Sequence, residues 1–252
     1  MLKKEKNIVV GRKPILDALE SGVNFEKILI DREMSGELEV TLRKKCKEKD
    51  IPLQRVPLPA IDKLTLTNHQ GVAGFISPIS YAPFDETVDQ LIFEKGDPVF
   101  LILDQVKDVR NFGAIARTAE VFGVGALIVP AEAKAQINDV VIKTSAGAVL
   151  NIPVCRVSSL FTAIKTLKLH GVQIAATAME GKAVHESRFE GPLGLVMGSE
   201  EKGIRPHLRR LCDQTVSIPQ LGNTESLNVS VSVGIILYEI NRQRGFVRKT
   251  QP

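Results

Sequence analysis

"QLGNTESLNVSVSVGIILYEI", residues 220–240, is the stretch on which the reading of the chain turns. It opens with a polar turn, Gly222-Asn223-Thr224-Glu225-Ser226, and becomes apolar at Leu227. Val229, Val231 and Val233 alternate with Ser230, Ser232 and Gly234, which is the period of a strand. Val229, Val233, Ile236, Leu237 and Ile240 also recur at helical spacing, and the run is too long for an ordinary strand. What surrounds the stretch has to choose between the two.

The 252 residues are enough for two modest domains or one large one, and 44% hydrophobic with 25% charged residues is ordinary for a globular protein. No apolar run reaches membrane-spanning length, since Ser230, Ser232 and Gly234 interrupt the best candidate. Met1-Leu2-Lys3-Lys4-Glu5-Lys6 is basic but is followed by no signal-peptide core, so the expected location is cytoplasmic, with no membrane partner. Cys46, Cys155 and Cys212 stand far apart with no CxxC, which argues against a disulfide framework. His69, His170, His185 and His207 have no metal-ligand spacing, and no metal is expected.

The formal net charge of +4 favours nucleic acid only weakly. Arg43-Lys44-Lys45 with Lys47 and Lys49 forms one basic run, and Arg242, Arg244, Arg248 and Lys249 form a second near the C-terminus. A solvated helix face and a solubilising tail explain both, so charge permits RNA without requiring it.

The chain divides near residue 80. Residues 1–79 read as a small α/β unit. In "GRKPILDALESG" Pro14 stands where a helix can start, Ile15, Leu16 and Leu19 hold helical spacing, and Gly22 ends the run. "KILID", "LQRVP" and "GVAGFIS" read as strands, and "GELEVTLRKKCKEKD" as an amphipathic helix. Residues 80–97, flanked by prolines and shifted in composition, read as a linker.

Residues 98–252 read as a second α/β domain. "VFLILD", "ALIVP", "IPVCRV", "QIAATAM", "LGLVMG" and "TVSIP" are near-continuous apolar runs, as expected of strands buried on both faces of a parallel sheet. Helical patterns separate them. Ligands of such sheets bind beyond the carboxyl ends of the strands. Asn111 and Arg117 follow the first strand, "SEEKGI" follows "LGLVMG", and the opening stretch follows "TVSIP". Three distant strand ends would thus assemble one polar site. The chain lacks a GxGxxG after a first strand, a GxxxxGK[ST] and a GxSxG, which disfavours dinucleotide, P-loop and serine-hydrolase chemistry.

"LDQVKDVRNFGAIARTAEVFGV", "LVMGSEEKGI" and "IPQLGNTESLNVSVSVGIILYE", in that order, resemble the three motifs of the SpoU/TrmH family within the SPOUT superfamily of RNA methyltransferases. "VVGRKPILDALESG" and "LTNHQGVAGFIS" are similar to the auxiliary domain of the branch that methylates a guanosine 2′-hydroxyl in 23S ribosomal RNA. The resemblance implies a parallel-sheet domain with a deep trefoil knot, an exception to the rule against knots, and a small N-terminal RNA-binding domain. It also implies S-adenosylmethionine as cofactor and a homodimer. Leu227 onward then becomes a helix, with small Ser230, Ser232 and Gly234 allowing close approach to another backbone. Its apolar residues lie on more sides than one sheet can cover, which points to a dimer interface.

By the same resemblance the catalytic residues are Arg117, Asn111, Glu200, Ser226 and Asn228. Gly198, Ile218 and Leu227 would line the donor pocket with Thr177, Met197, Pro219 and Leu221 nearby, and Arg12, Lys13 and Arg110 would bind RNA. A guanidinium is effectively always protonated, so a phosphate grip and stabilisation of a developing alkoxide suit Arg117 better than a base role. Glu200 could orient Arg117 or Asn111, with Glu201 as its solvated neighbour. Ser226 or Asn228 could equally cap a helix. A tRNA ribose methyltransferase and a catalytically silent RNA-binding or ribosome-assembly factor are the competing readings.

Overall fold

Apolar periodicity in the sequence becomes two sheets of different character in the computed structural model, which describes residues 7–132, 137–223 and 226–246. Contacts divide the chain into Met1–Ser80 and Tyr81–Pro252.

The first unit runs β1 (Ile8–Val10), α1 (Arg12–Glu20), β2 (Phe25–Asp31), α2 (Glu37–Glu48), β3 (Leu53–Val56), α3 (Leu58–Asp62) and β4 (Val72–Ile76). Its four-stranded sheet has the order β1-β4-β2-β3, with β4 antiparallel to β1 and β2, and β3 parallel to β2. Ile15 and Leu19 of α1 and Leu42 and Cys46 of α2 bury one face against Phe25, Ile28 and Ile30. Leu29 and Ala73 point the other way, onto Ile61 of α3. Gly74 permits this packing, because a Cβ there would lie 2.5 Å from the Phe25 ring. The three-residue β1 is too short to show in the sequence pattern.

The second unit begins with a correction. The segment read as a linker contains α4 (Phe84–Lys95), whose Val88 and Leu91 are buried in the main core. Pro83, which marked a break in the sequence, is the residue that caps this helix. Then follow β5 (Val99–Leu103), α5 (Val109–Val121), β6 (Ala126–Pro130), α6 (Asp139–Thr144), β7 (Val154–Val157) and α7 (Leu160–Leu169). The unit ends with β8 (Gln173–Ala183), β9 (Leu193–Met197), α8 (Pro206–Arg209), β10 (Gln214–Ser217) and α9 (Val229–Gln243).

These six strands form one sheet of order β10-β8-β9-β5-β6-β7, parallel throughout. Phe100, Ile102, Ile128, Ile174 and Val196 pack with α4, α7 and α8. Their neighbours Leu101, Leu103, Leu127 and Leu195 face the opposite way and are buried too. Register shifts between Thr215 and Val216, so β8 carries a bulge between Ala176 and Lys182.

The opening stretch is a helix from Val229, and Val229, Val233, Ile236, Leu237 and Ile240 are its buried apolar residues. Helical spacing, not alternation, was the true signal. Within the chain a Cβ on Gly234 would meet only the Thr118 methyl at 3.7 Å, ordinary contact. Close approach occurs instead between α5 and α6, where a Cβ on Gly113 would lie 1.9 Å from Thr144 Oγ1. Of the C-terminal basic run, Arg242 pairs with Glu239 at 2.8 Å. Arg244 donates to the carbonyls of Asp97, Phe189 and Gly191, which makes it a tie for the chain end. Arg248, Lys249 and, in the polar turn, Thr224 and Glu225 lie outside the described residues. Among the described residues no helix is long and apolar enough to cross a membrane.

Candidate active site

The segments leaving β5, β9 and β10 converge on one carboxylate. Glu200 Oε1 accepts from Asn111 Nδ2 at 3.2 Å, from Asn228 Nδ2 at 2.6 Å and from the backbone N–H of Val229 at 3.0 Å. Asn228 Nδ2 also donates to Asn111 Oδ1 at 3.0 Å. Each side chain is placed by its own local element. Asp108 caps α5, accepting from the N–H groups of Arg110 and Asn111 at 2.8 and 2.9 Å, and so fixes the first turn that carries Asn111. Asn228 is the N-cap of α9, accepting from Ser230 N at 2.9 Å and Ser230 Oγ at 2.5 Å. Its cap and its bonds to Glu200 and Asn111 use opposite ends of one amide, so capping and site geometry reinforce each other. Glu201 is exposed and has no part in this cluster.

Glu200 stands on a loop that closes tightly on itself. Ser199 and Gly203 form a bridge, with Gly203 N–H donating to the Ser199 carbonyl at 2.9 Å. A Cβ on Gly198 would lie 2.2 Å from the Gly203 carbonyl carbon and 2.4 Å from Ile204 N, so only glycine fits without moving the loop.

Beside the cluster is a cavity of about 350 Å³, within the range of small-molecule sites. Of the residues expected to hold a donor, Thr177, Met197, Gly198, Ile218 and Leu227 line it, and Ser226 and Glu200 reach its wall. Pro219 and Leu221 are not part of its lining, and Leu221 is fully exposed. Met179, Gln220, Ser232 and Ile236 line the cavity without having been foreseen. Ser232 and Ile236 follow Val229 at helical steps along α9, a signal present in the sequence but hidden by the strand-like alternation. Thr177 Oγ1 donates to the Val196 carbonyl at 3.1 Å and so ties the β8 bulge to β9. The cavity offers apolar walls for a flat ring beside polar and backbone groups for a charged tail, and a nucleoside-sized cofactor fits that donor set.

Arg117 does not join the cluster. It follows Asn111 by six positions, about 240° of helix rotation, and leaves α5 from another side. The residue is exposed and makes no hydrogen bond or ion pair among the described residues. Arg110 is exposed near the same helix start. Arg12 and Lys13 lie in the first unit, where Arg12 donates from N and Nε to Gln70 Oε1 and O, both at 3.1 Å.

One pair was not foreseen. Asp104, completely buried at the end of β5, accepts from Arg205 N and Nε at 2.8 Å each, and donates from its own N–H to the Met197 carbonyl. Both residues lie within or beside the conspicuous segments, but no pattern in the sequence couples them. Among the described residues no cluster of His, Cys, Asp or Glu could hold a metal ion.

Comparison with known proteins gives the same partition of the chain. Residues 98–238 match the SpoU rRNA Methylase family, and residues 8–82 match RNA 2′-O ribose methyltransferase substrate binding. The chain is 38% identical over 245 residues to a Staphylococcus saprophyticus protein assigned to the TrmH family of tRNA/rRNA methyltransferases, covering 96% of this chain and 98% of that one. It is similar to the crystal structure of an AdoMet-bound rRNA methyltransferase from Sinorhizobium meliloti, with TM-score 0.60 and 26% identity over 94% of this chain and 87% of that one. It is similar also to the A. aeolicus TrmH/SpoU tRNA modifying enzyme, with TM-score 0.55 and 32% identity over 65% of this chain and 85% of that one.

Proposed function

We propose, from the premise that this chain belongs to the SpoU rRNA methylase family, that it transfers a methyl group from S-adenosylmethionine to a ribose 2′-hydroxyl of structured RNA, and that the target is a guanosine of 23S ribosomal RNA. The observation that carries the reading is the Glu200–Asn111–Asn228 cluster standing at the wall of the cavity. When bound, S-adenosylmethionine supplies an electrophilic sulfonium methyl group.

The chain's own residues do the rest. Ile218, Leu227 and Met197 would hold the cofactor's apolar part, and the closed 198–204 loop would offer it backbone groups. Glu200 holds two amides and the start of α9 in one geometry, so little reorganisation is needed when RNA arrives. Arg117, exposed and unengaged, grips an RNA phosphate and stabilises the 2′-oxygen as it loses its proton. The proton passes to a phosphate oxygen or to water, since the guanidinium cannot take it. Arg12, Lys13 and Arg110 add contacts to the RNA backbone.

The same reading includes a homodimer. Val231, Ile235 and Tyr238 are all exposed and follow one another along a single face of α9. Covering that stripe with a second copy removes it from water. Light scattering at micromolar concentration should give twice the chain mass, and an active monomer would end the dimer proposal.

The A. aeolicus likeness favours tRNA as the second reading. Mapping 2′-O-methyl groups in total rRNA and tRNA from a deletion strain decides between the two. The expected result is one 23S guanosine losing its methyl group, restored by the purified protein with S-adenosylmethionine. Loss in tRNA alone would replace this substrate with the second reading. No loss in either RNA would support a silent RNA-binding protein.

A further inference from the structure

A second cavity, of about 150 Å³, lies at the carboxyl ends of the neighbouring strands β5 and β6. Phe112, Val106 and Val129 give it buried apolar walls, and Gln105, Arg205 and Glu132 bring polar groups to it. A space of this size takes the six-membered ring of a nucleobase, leaving the fused five-membered ring of a purine at its mouth. We propose that it receives the base of the nucleotide being methylated and that its polar groups select guanine. This rests on the reading above as an RNA ribose methyltransferase and gives it a target-base site.

Three observations converge. Gln105 has φ 60°, a left-handed conformation that a non-glycine residue adopts at a cost of about 1–2 kcal/mol. Its side chain is half-buried at the cavity and makes no hydrogen bond among the described residues. A residue kept in that conformation with an unengaged amide contributes little to the fold, and strain of this kind gathers at ligand sites.

Arg205 is the second. Its N and Nε occupy both oxygens of the buried Asp104, which fixes the direction of the guanidinium. Its remaining guanidinium nitrogens make no hydrogen bond among the described residues and are left as oriented donors at the cavity.

Position is the third. Phe112, in the cavity wall, is the residue next to Asn111, which bonds Glu200, which in turn lines the donor cavity. The Asn111–Glu200 cluster is therefore joined, through Glu200 and through the neighbouring Phe112, to residues that line both cavities.

The donor and acceptor pattern chooses the base. Guanidinium N–H groups match the O6 and N7 acceptors of guanine. The Glu132 carboxylate can accept from N1–H and the exocyclic amine on the other edge. Adenine would turn its own amine toward Arg205 and offer no N1–H to Glu132. The Gln105 amide both donates and accepts, so it adds affinity without choosing.

The test uses the full chain saturated with S-adenosylhomocysteine to fill the donor cavity, with GMP, AMP, CMP and UMP as probes in saturation-transfer NMR. GMP should give the strongest transfer. Gln105→Gly should remove most of it with an intact fold, since glycine accepts φ 60° freely. Glu132→Gln should narrow the gap between GMP and AMP without closing it, because Arg205 still disfavours adenine. Neither substitution should change calorimetric affinity for S-adenosylmethionine, and Gln105→Gly should slow single-turnover methylation of a 23S rRNA transcript about tenfold, the loss expected of one well-placed polar contact. GMP transfer no greater than AMP transfer, or equal in wild type and both variants, would overturn the base site. If that happens while the wild type still methylates RNA, the methyltransferase reading stands and only the base site fails. If no RNA is methylated but the GMP pattern appears, the guanine site stands and the substrate reading fails.

Discussion

Glu200 and Arg117 belong to the same candidate site and could hardly be placed more differently. Glu200 accepts three N–H groups from two distant points of the chain, on a loop that closes too tightly for any side chain at position 198. Arg117 is exposed on α5 with no partner among the described residues. A side chain whose bonds are all internal serves as framework, and its geometry is set before any ligand arrives. A charged side chain with none, one side of a helix away from that framework, is positioned for a partner that comes from outside. The contrast separates preorganisation from capture, and each can be broken on its own.

The largest effect should come from the capture side. Arg117→Ala should lower single-turnover methylation by about a hundredfold or more, the range for losing one group that stabilises developing charge. Donor affinity by calorimetry and the melting temperature should stay unchanged. Arg117→Lys should also be poor, because a point charge cannot reproduce a bidentate fork. Near wild-type turnover in the alanine variant would make Arg117 an ordinary surface residue.

On the framework side the expected losses are smaller and different in kind. Gly198→Val should cut donor affinity by about tenfold or more and lower the melting temperature, because its Cβ meets backbone at 2.2 Å. Unchanged calorimetric affinity would place the donor elsewhere. Glu200→Gln should reduce methylation about tenfold and cost roughly 1–2 kcal/mol of stability, since a neutral amide oxygen accepts the three N–H groups more weakly than a carboxylate oxygen does. Urea unfolding read beside activity tests both parts.

The smallest effect sharpens the comparison by moving it along α9. Glu239, like Glu200, is bound by its neighbours, but away from the cavity. Bonds from Arg242 and from Gln243 hold its carboxyl down to about 2. Its folded value is thus depressed from an ordinary value of about 4.3, so its stabilisation is present above that value and is lost as pH falls through about 2. Glu239→Gln should cost about 1 kcal/mol near pH 7, allowing for partial solvent screening, with methylation unaffected. The gap between wild type and variant should close between about pH 4.5 and 2 in denaturant melts. A loss of activity as large as that of Glu200→Gln would erase the distinction between framework at the site and framework elsewhere.

Most of the large sheet was legible because strands buried on both faces leave continuous apolar runs, and all six such runs are strands. Failures had local causes. Pro83 looked like a break and is a helix cap, so α4 was taken for linker. Strand alternation in residues 229–234 competed with helical spacing, and the family resemblance chose the helix that the buried set of α9 shows. Pro219 and Leu221 came with the family resemblance, yet neither lines the cavity, although Gln220 between them does.

By itself the sequence determined which residues are polar at the ends of apolar runs, and with them the identities of Asn111, Glu200 and Asn228. Only the tertiary structure decided that Glu200 meets residues 89 and 28 positions away, that Asp104 takes both its partners from Arg205 across 101 positions, and that Arg117 stands apart. The reason lies in the range of the forces. Burial and helix spacing act on neighbours in the chain and leave a periodic trace, whereas a parallel sheet aligns the carboxyl ends of strands far apart in sequence and leaves no trace of which end faces which.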